Sequence, residues 1–375
     1  MNQLNSFTSS SEHRTPLSIA MRMAAWIAIG LLTIDVTINL VFSYPLDPKI
    51  TSPSQLRAYF EYGRSVEAKL RRMTRQDRFQ TAPITLAGWY EPLEVVEKPA
   101  SSDNPIVTFY GMSHAVRLAE AVRRVSNQFN VRIVAAPGAT ANWAYGAYLR
   151  DRGGGKSRAA VLAFMAANLP MIGTMSPMTW NIDAPIPYTA DRFYVENANL
   201  RVIHPPYTSF EEYVDTFYHP SRFAAALDFF AKNDSMYNHF IMETNALDHS
   251  SLFRLVRRAY GQRFLRNMRK HSIDQSGFQP ESEQIVVSRM IVHEFTMDAR
   301  RHGMIPVIFL VNNLGYSDHL FQALKPALTA DKVQYVSSHS IVSPSNPRGY
   351  LPDSHFTDEV DNELARALLK LIGES

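Results

Sequence analysis

The chain changes hydrophobic rhythm several times. From Ile19 to Tyr44 almost every position is apolar. The cleanest run, Met23 to Phe42, is about 20 residues long, which is the length of a bilayer-crossing helix. A cleavable signal would carry a shorter apolar region followed by a small-residue cleavage site, so residues 19–44 read as an uncleaved anchor behind a polar tail at 1–18. Arg14 and Arg22 precede the run and Lys49 and Arg57 follow it, leaving the charge rule for orientation nearly balanced. Asp35 and Asn39 lie inside it, one helical turn apart. They read either as a contact with a partner membrane protein or as polarity tolerated in a single anchor.

Residues 45–103 form a juxtamembrane stretch and linker. Leu56, Tyr59, Phe60, Val66, Leu70 and Met73 recur at helical spacing and predict one amphipathic helix over 53–78, with Ser52 as cap, Pro53 at its first position and Gln55 completing a capping box. Residues 84–96 predict a strand or extended pair, and the following EKPASSDNP a loop, which places the start of the main domain near residue 104. From there strands and helices alternate. IVTFY (106–110), VRIVAA (131–136), MIPVIFLV (304–311) and VQYVSS (333–338) predict strands. Residues 113–129, 140–151, 283–301 and 362–372 predict helices, and AAVLAFMAA (159–167) suits either. Such alternation implies an α/β domain over 104–375: a mostly parallel sheet covered on both faces, with functional sites at the carboxyl ends of its strands. An aromatic-rich stretch at about 180–282 interrupts the rhythm and predicts an inserted set of helices and loops. Its rings suit either a groove lining or the core of the insert itself, and the second reading is the simpler.

The composition narrows the chemistry. Lys+Arg is 38 and Asp+Glu 35, a net charge of +3, which argues against nucleic acid as a partner. There is no cysteine, so disulfides, a thiol nucleophile and thiolate-held metal are excluded. His293-Glu294 lacks the second histidine of a HExxH zinc motif. No metal or organic cofactor is expected.

Two segments carry candidate chemistry. The first predicted strand of the domain ends in Gly111-Met112-Ser113-His114-Ala115, directly before a helix. Ser113 there is either an ordinary helix cap or a nucleophile presented at the sheet edge in the field of the helix N-terminus. Before the last helix, Asp353-Ser354-His355 places an acid and a base on one loop, able to serve as general base and orienting carboxylate for a serine. The pairs Asp248-His249 and Asp318-His319 compete for that role, but adjacent residues on a regular element point in different directions. The Gly-x-Ser-x-Ala pattern also approaches the nucleophile elbow of α/β-hydrolases. That fold has several strands before its serine and a triad acid well separated from the histidine.

With these residues the chain resembles the SGNH (GDSL-type) hydrolase superfamily. Gly111 and Ser113 match its Gly-Asp-Ser motif, with Met112 in place of the aspartate. Gly138 in AAPGATANW falls where the family has its second motif, a glycine after the second strand. Asn168 falls where the third motif has its asparagine, although the glycine and aspartate of that motif are absent. The shortened Asp353-x-His355 is similar to the membrane-associated alginate-type O-acetyltransferase branch, and an N-terminal anchor suits that branch. The resemblance covers about 104–375 and implies a three-layer α/β/α fold with a Ser113-His355-Asp353 triad. Oxyanion donors would be the Ser113 and Gly138 N–H groups and the Asn168 amide. It further implies a membrane-bound esterase, deacetylase or O-acetyltransferase acting on ester groups of an extracytoplasmic polysaccharide. The partners would then be an ester-bearing glycan or acyl donor and the membrane. The competing expectation is a catalytically degenerate domain that binds glycan or scaffolds a membrane assembly.

Overall fold

The computed structural model describes residues 16–45, 51–74, 87–151 and 157–373. Its first helix, α1 (Pro16–Val41), covers the long apolar run and is long and apolar enough to cross a membrane. Side chains such as Ile27, Leu31 and Leu32 stay exposed, so along most of its length the other described residues do not cover this helix.

The amphipathic stretch expected as one helix forms two, α2 (Gln55–Glu61) and α3 (Val66–Thr74); residues 75–78 of that expectation lie outside the described residues. Ser54, not Ser52, caps α2 by accepting the Arg57 N–H at 3.3 Å. The chain breaks beside Gly63, where a Cβ would stand 1.7 Å from the Arg254 carbonyl oxygen. Ser65 then restarts the helix: its Oγ accepts the Ala68 N–H at 3.2 Å. The described part of the strand expected over 84–96 is mostly turn and loop. Glu91 makes an isolated bridge with Ser209, and only β1 (Val96–Lys98) joins the central sheet, which therefore starts ahead of residue 104.

The sheet continues with β2 (Ile106–Gly111), helix α4 (Ser113–Val125), β3 (Asn130–Ala135), helix α5 (Ala141–Asp151) and β4 (Ser157–Met165). The last of these is the run whose pattern suited either element. It is a strand because both its faces are buried, as a central parallel strand requires. Next comes the insert. A hairpin, β5 (Arg192–Glu196) and β6 (Asn199–Ile203), is followed by α6 (Phe210–Tyr218), α7 (Pro220–Asn233), α8 (His239–Met242), α9 (Ser251–Lys270) and a short hairpin, β7 (Ile273–Asp274) and β8 (Gly277–Phe278). The α/β alternation resumes with α10 (Glu283–Arg301), β9 (Ile305–Val311), α11 (His319–Ala330), β10 (Gln334–Ser337) and α12 (Asp358–Ile372).

The six strands of the central sheet lie in the order β1-β3-β2-β4-β9-β10, all parallel except the antiparallel edge β1. Helices α4 and α12 pack on each other against the sheet, while α5, α10 and α11 form a second contiguous helical layer. Because β3 and β4 flank β2 on opposite sides, the strand order reverses at β2. The crevice outside its carboxyl end is therefore the place where such sheets bind ligands.

The insert's aromatics are chiefly its own core. Tyr207, Phe210, Tyr213, Phe217 and Phe230 are buried, and Trp89 joins them with its ring 5.7 Å from Tyr213. Below this core lies a buried ionic cluster. Glu61 is shared by Arg64, Arg72 and Arg254, while Asp248 accepts from the Ser65 N–H and Oγ and from Arg257.

Asp35 and Asn39 find hydrogen-bond counterparts inside the chain. Asp35 Oδ1 accepts the Leu252 N–H at 2.8 Å, and Asn39 Oδ1 accepts from Ser251 Oγ at 2.9 Å and Arg254 Nη2 at 2.5 Å. The physical reason is the first turn of α9, whose free N–H groups attract a carboxylate.

Candidate active site

Glycine at 111 is dictated by packing. A Cβ there would lie 2.7 Å from Cβ of Ala163 on β4 and 3.1 Å from that of Ala115, so only glycine lets α4 start hard against the sheet. Met112 follows in an extended conformation as the N-cap residue and is buried. Ser113 is therefore the first residue of the helix and not its cap. Its hydroxyl is free for other use, and it lies 2.7 Å from His355 Nε2.

His355 is oriented from behind. Its Nδ1 stands 3.0 Å from Asp353 Oδ2, and Asp353 Oδ1 accepts the His355 backbone N–H at 3.2 Å. Two residues of separation suffice because Ser354 between them adopts φ +71°, a left-handed conformation that folds the carboxylate back over the imidazole. The Leu351 N–H donates to the His355 carbonyl at 2.7 Å and closes the turn. These hydrogen bonds, the one from the His355 ring foremost, hold the Asp353 carboxyl below the usual carboxylate range. Arg117 of α4 fixes the start of α12 just beyond, donating to the Phe356 carbonyl at 2.9 Å and to Asp361 at 2.8 Å.

His114 is a neighbour that the sequence singled out only as part of a motif. Its ring lies 4.7 Å from that of His355 and stands edge-on to Phe356 at 5.2 Å. Both ring nitrogens are buried without a hydrogen-bond partner among the described residues. Burial, reinforced by His355, pushes its pKa down to about 4. It is a neutral ring packed beneath the His355 imidazole.

Gly138 follows β3 with φ +67°, and Trp180 lies beside it, 3.4 Å from where a Cβ would stand. The buried Asn168, in the 3-10 turn after β4, does not stand free as a donor. Its amide donates to the Gly138 and Ala139 carbonyls at 3.2 and 3.3 Å, because that loop's carbonyls have no strand to pair with. Asn168 thus fastens the Gly138 loop. A cleft of about 400 Å³ opens from Ser113 along Val116, Val96, Ile133 and Ala136, and the Lys98–Glu120 ion pair borders it.

The competing acid–histidine pairs have other work. Asp248 is tied up in the ionic cluster, and Asp318 accepts from Gln322 Nε2 at 2.7 Å. Among the described residues no three His, Cys, Asp or Glu side chains converge as metal ligands. Compared with known proteins, the chain matches no family model and no curated protein.

Proposed function

We propose that this chain is a membrane-anchored serine acyl-transfer enzyme of the SGNH type, an esterase, deacetylase or O-acetyltransferase acting on ester groups of an exported or surface polysaccharide. The observation that carries the reading is the continuous hydrogen-bonded line Ser113 Oγ–His355 Nε2, His355 Nδ1–Asp353 Oδ2, at 2.7 and 3.0 Å. A helix cap or a structural histidine has no need of that line. The positions of Gly138 after β3, Asn168 after β4 and Asp353-x-His355 before α12 keep the order that the resemblance implies.

In this mechanism His355 Nε2 removes the Ser113 proton as Oγ attacks the ester carbonyl, and Asp353 holds the Nδ1–H tautomer and stabilises the imidazolium. The tetrahedral oxyanion is held by the Ser113 N–H, at the start of α4, and the Gly138 N–H. Losing one such donor costs about 3–4 kcal/mol of transition-state stabilisation. On collapse, the imidazolium returns its proton to the departing alkoxide and the acyl group stays on Ser113 Oγ. Water or a sugar hydroxyl, deprotonated by His355, then takes it. Asn168 acts through the loop it fastens.

The test is hydrolysis of a small activated acetyl ester by the full-length chain in detergent, beside Ser113→Ala and His355→Ala. Each substitution should lower kcat by about 10⁴-fold with the far-ultraviolet circular dichroism unchanged. Equal low rates in all three proteins would favour the non-catalytic scaffold. A reporter fused after residue 375 tests the extracytoplasmic placement, since cytosolic reporter activity contradicts it.

A further inference from the structure

The surface around the end of α1 has its own chemistry. Asp35 lies six residues before the end of α1, about 9 Å along the helix axis at 1.5 Å per residue. The α9 backbone is bonded there, through the Leu252 N–H. The first turn of α9 is thus held level with the interior of the apolar run and not beyond its end. At that level α9 exposes large apolar side chains. Phe253, Val256 and Tyr260, spaced on one face, are 50%, 59% and 44% exposed. Leu31 and Leu32 of α1 face Leu252, Phe253 and Val256 across an apolar groove of about 630 Å³. Neighbouring α2 adds exposed Leu56 and Tyr59.

The exposed surface of α9 changes character along the helix. Beyond Tyr260 its exposed positions include Arg263, Arg266 and Lys270, none of which has an ion-pair partner among the described residues. Apolar side chains come first, an aromatic ring with a polar tip next, and cations last. This is the order in which a membrane passes from hydrocarbon through its interface to charged headgroups. A protein partner would not require that gradient.

We infer that α9 is a second membrane contact: its first two turns insert beside α1 into the bilayer, with lipid acyl chains filling the groove between them, and its basic end meets anionic headgroups. The inference rests on reading α1 as a membrane anchor. The catalytic domain is then held against the membrane in one orientation rather than swinging on a tether.

The cysteine-free chain makes the test direct. Single-cysteine variants Phe253→Cys, Val256→Cys, Leu31→Cys and Val202→Cys, each at an exposed site, are labelled with a nitroxide. They are reconstituted as full-length protein in vesicles of phosphatidylcholine and phosphatidylglycerol. Collision of the label with oxygen relative to a water-soluble nickel chelate reads its depth. The ratio at 253 and 256 should lie close to that at 31 and several-fold above that at 202. A lipid signature at 31 with an aqueous one at 253 and 256 overturns the inference and leaves the anchor intact. An aqueous signature at 31 overturns the anchor as well. Spin–spin broadening at 253 would assign this face to a second copy of the chain instead of lipid.

Discussion

His114 is the residue whose state bears most directly on the site, since its ring lies against that of His355. Its pKa of about 4 lies below the usual histidine value near 6.5. In that window the unfolded chain binds a proton that the folded chain refuses, so stability is full above about pH 6.5 and is lost as pH falls towards 4, by at most about 3 kcal/mol. Denaturant midpoints against pH should show this slope in the wild type and lose it in His114→Phe. Above about pH 4 the ring is neutral, so under the proposed mechanism it would place no charge against a His355 imidazolium. Ser354 sets the geometry on the other side. Ser354→Gly, which tolerates φ +71°, should keep kcat within about twofold, whereas β-branched Ser354→Val should lower it about tenfold or more, because the left-handed region is costly for such residues. A parallel fall in folding stability in the glycine variant would contradict this account. Ser113, Asp353 and His355 were legible because chain order alone suggests them: a serine after a first strand, an acid and base on the last loop. His114 and the true bonds of Asn168 were not, because they depend on where side chains point after the helices and loops have packed. The cap reading of Ser113 was plausible for the same reason; one residue of register, with Met112 as N-cap, decides it.

Among the elements, the strands buried on both faces and the long amphipathic helices were legible from period alone, and the helix expected over 283–301 matches α10 residue for residue. Short elements were not. β1 and the two small hairpins of the insert exist through their partners, and two to five residues carry too little pattern to announce them. The helix expected over 53–78 failed at Gly63, because the close approach of α9 to that backbone is a tertiary fact. Close approach also yields a prediction at the working end of the sheet. Gly111→Ala forces a methyl to within 2.7 Å of Ala163, so α4 must move away from β4 and carry Ser113 with it. Overpacking of this kind costs about 1–3 kcal/mol. The expected result is a modest drop in the unfolding midpoint with a disproportionate, at least tenfold, loss of kcat in ester hydrolysis. An alanine variant with wild-type kcat would show that the β2–α4 junction does not set the position of the nucleophile.

On the scale of the whole molecule, the sheet brings together residues 242 apart in sequence, Ser113 and His355, and the insert leaves between β4 and α10 without disturbing them. The insert reaches the Gly138 loop through Trp180 and Tyr188, and it also holds the N-terminal helix. Its helix α9 holds α1 through Asp35 and Asn39, and Arg254 links Asn39 to Glu61 of α2. Helix α1 and α9 are thus tied together, and the Ser113–His355–Asp353 line forms a separate hydrogen-bonded group. Loss of the Asp35 and Asn39 side chains together should separate their contributions. In Asp35→Ala/Asn39→Ala the Leu252 N–H loses its acceptor, and Ser251 and Arg254 each lose one hydrogen bond, while Arg254 keeps Glu61. Unpaired buried groups of this kind cost about 1–3 kcal/mol each, so the thermal midpoint in detergent should fall and amide exchange over residues 251–255 should quicken. Ester hydrolysis at 25 °C should stay within about twofold of wild type, since no triad contact passes through α9. If kcat falls with the exchange protection, the insert is tuning the active site as well as securing the anchor, and the two are coupled more tightly than their contacts indicate.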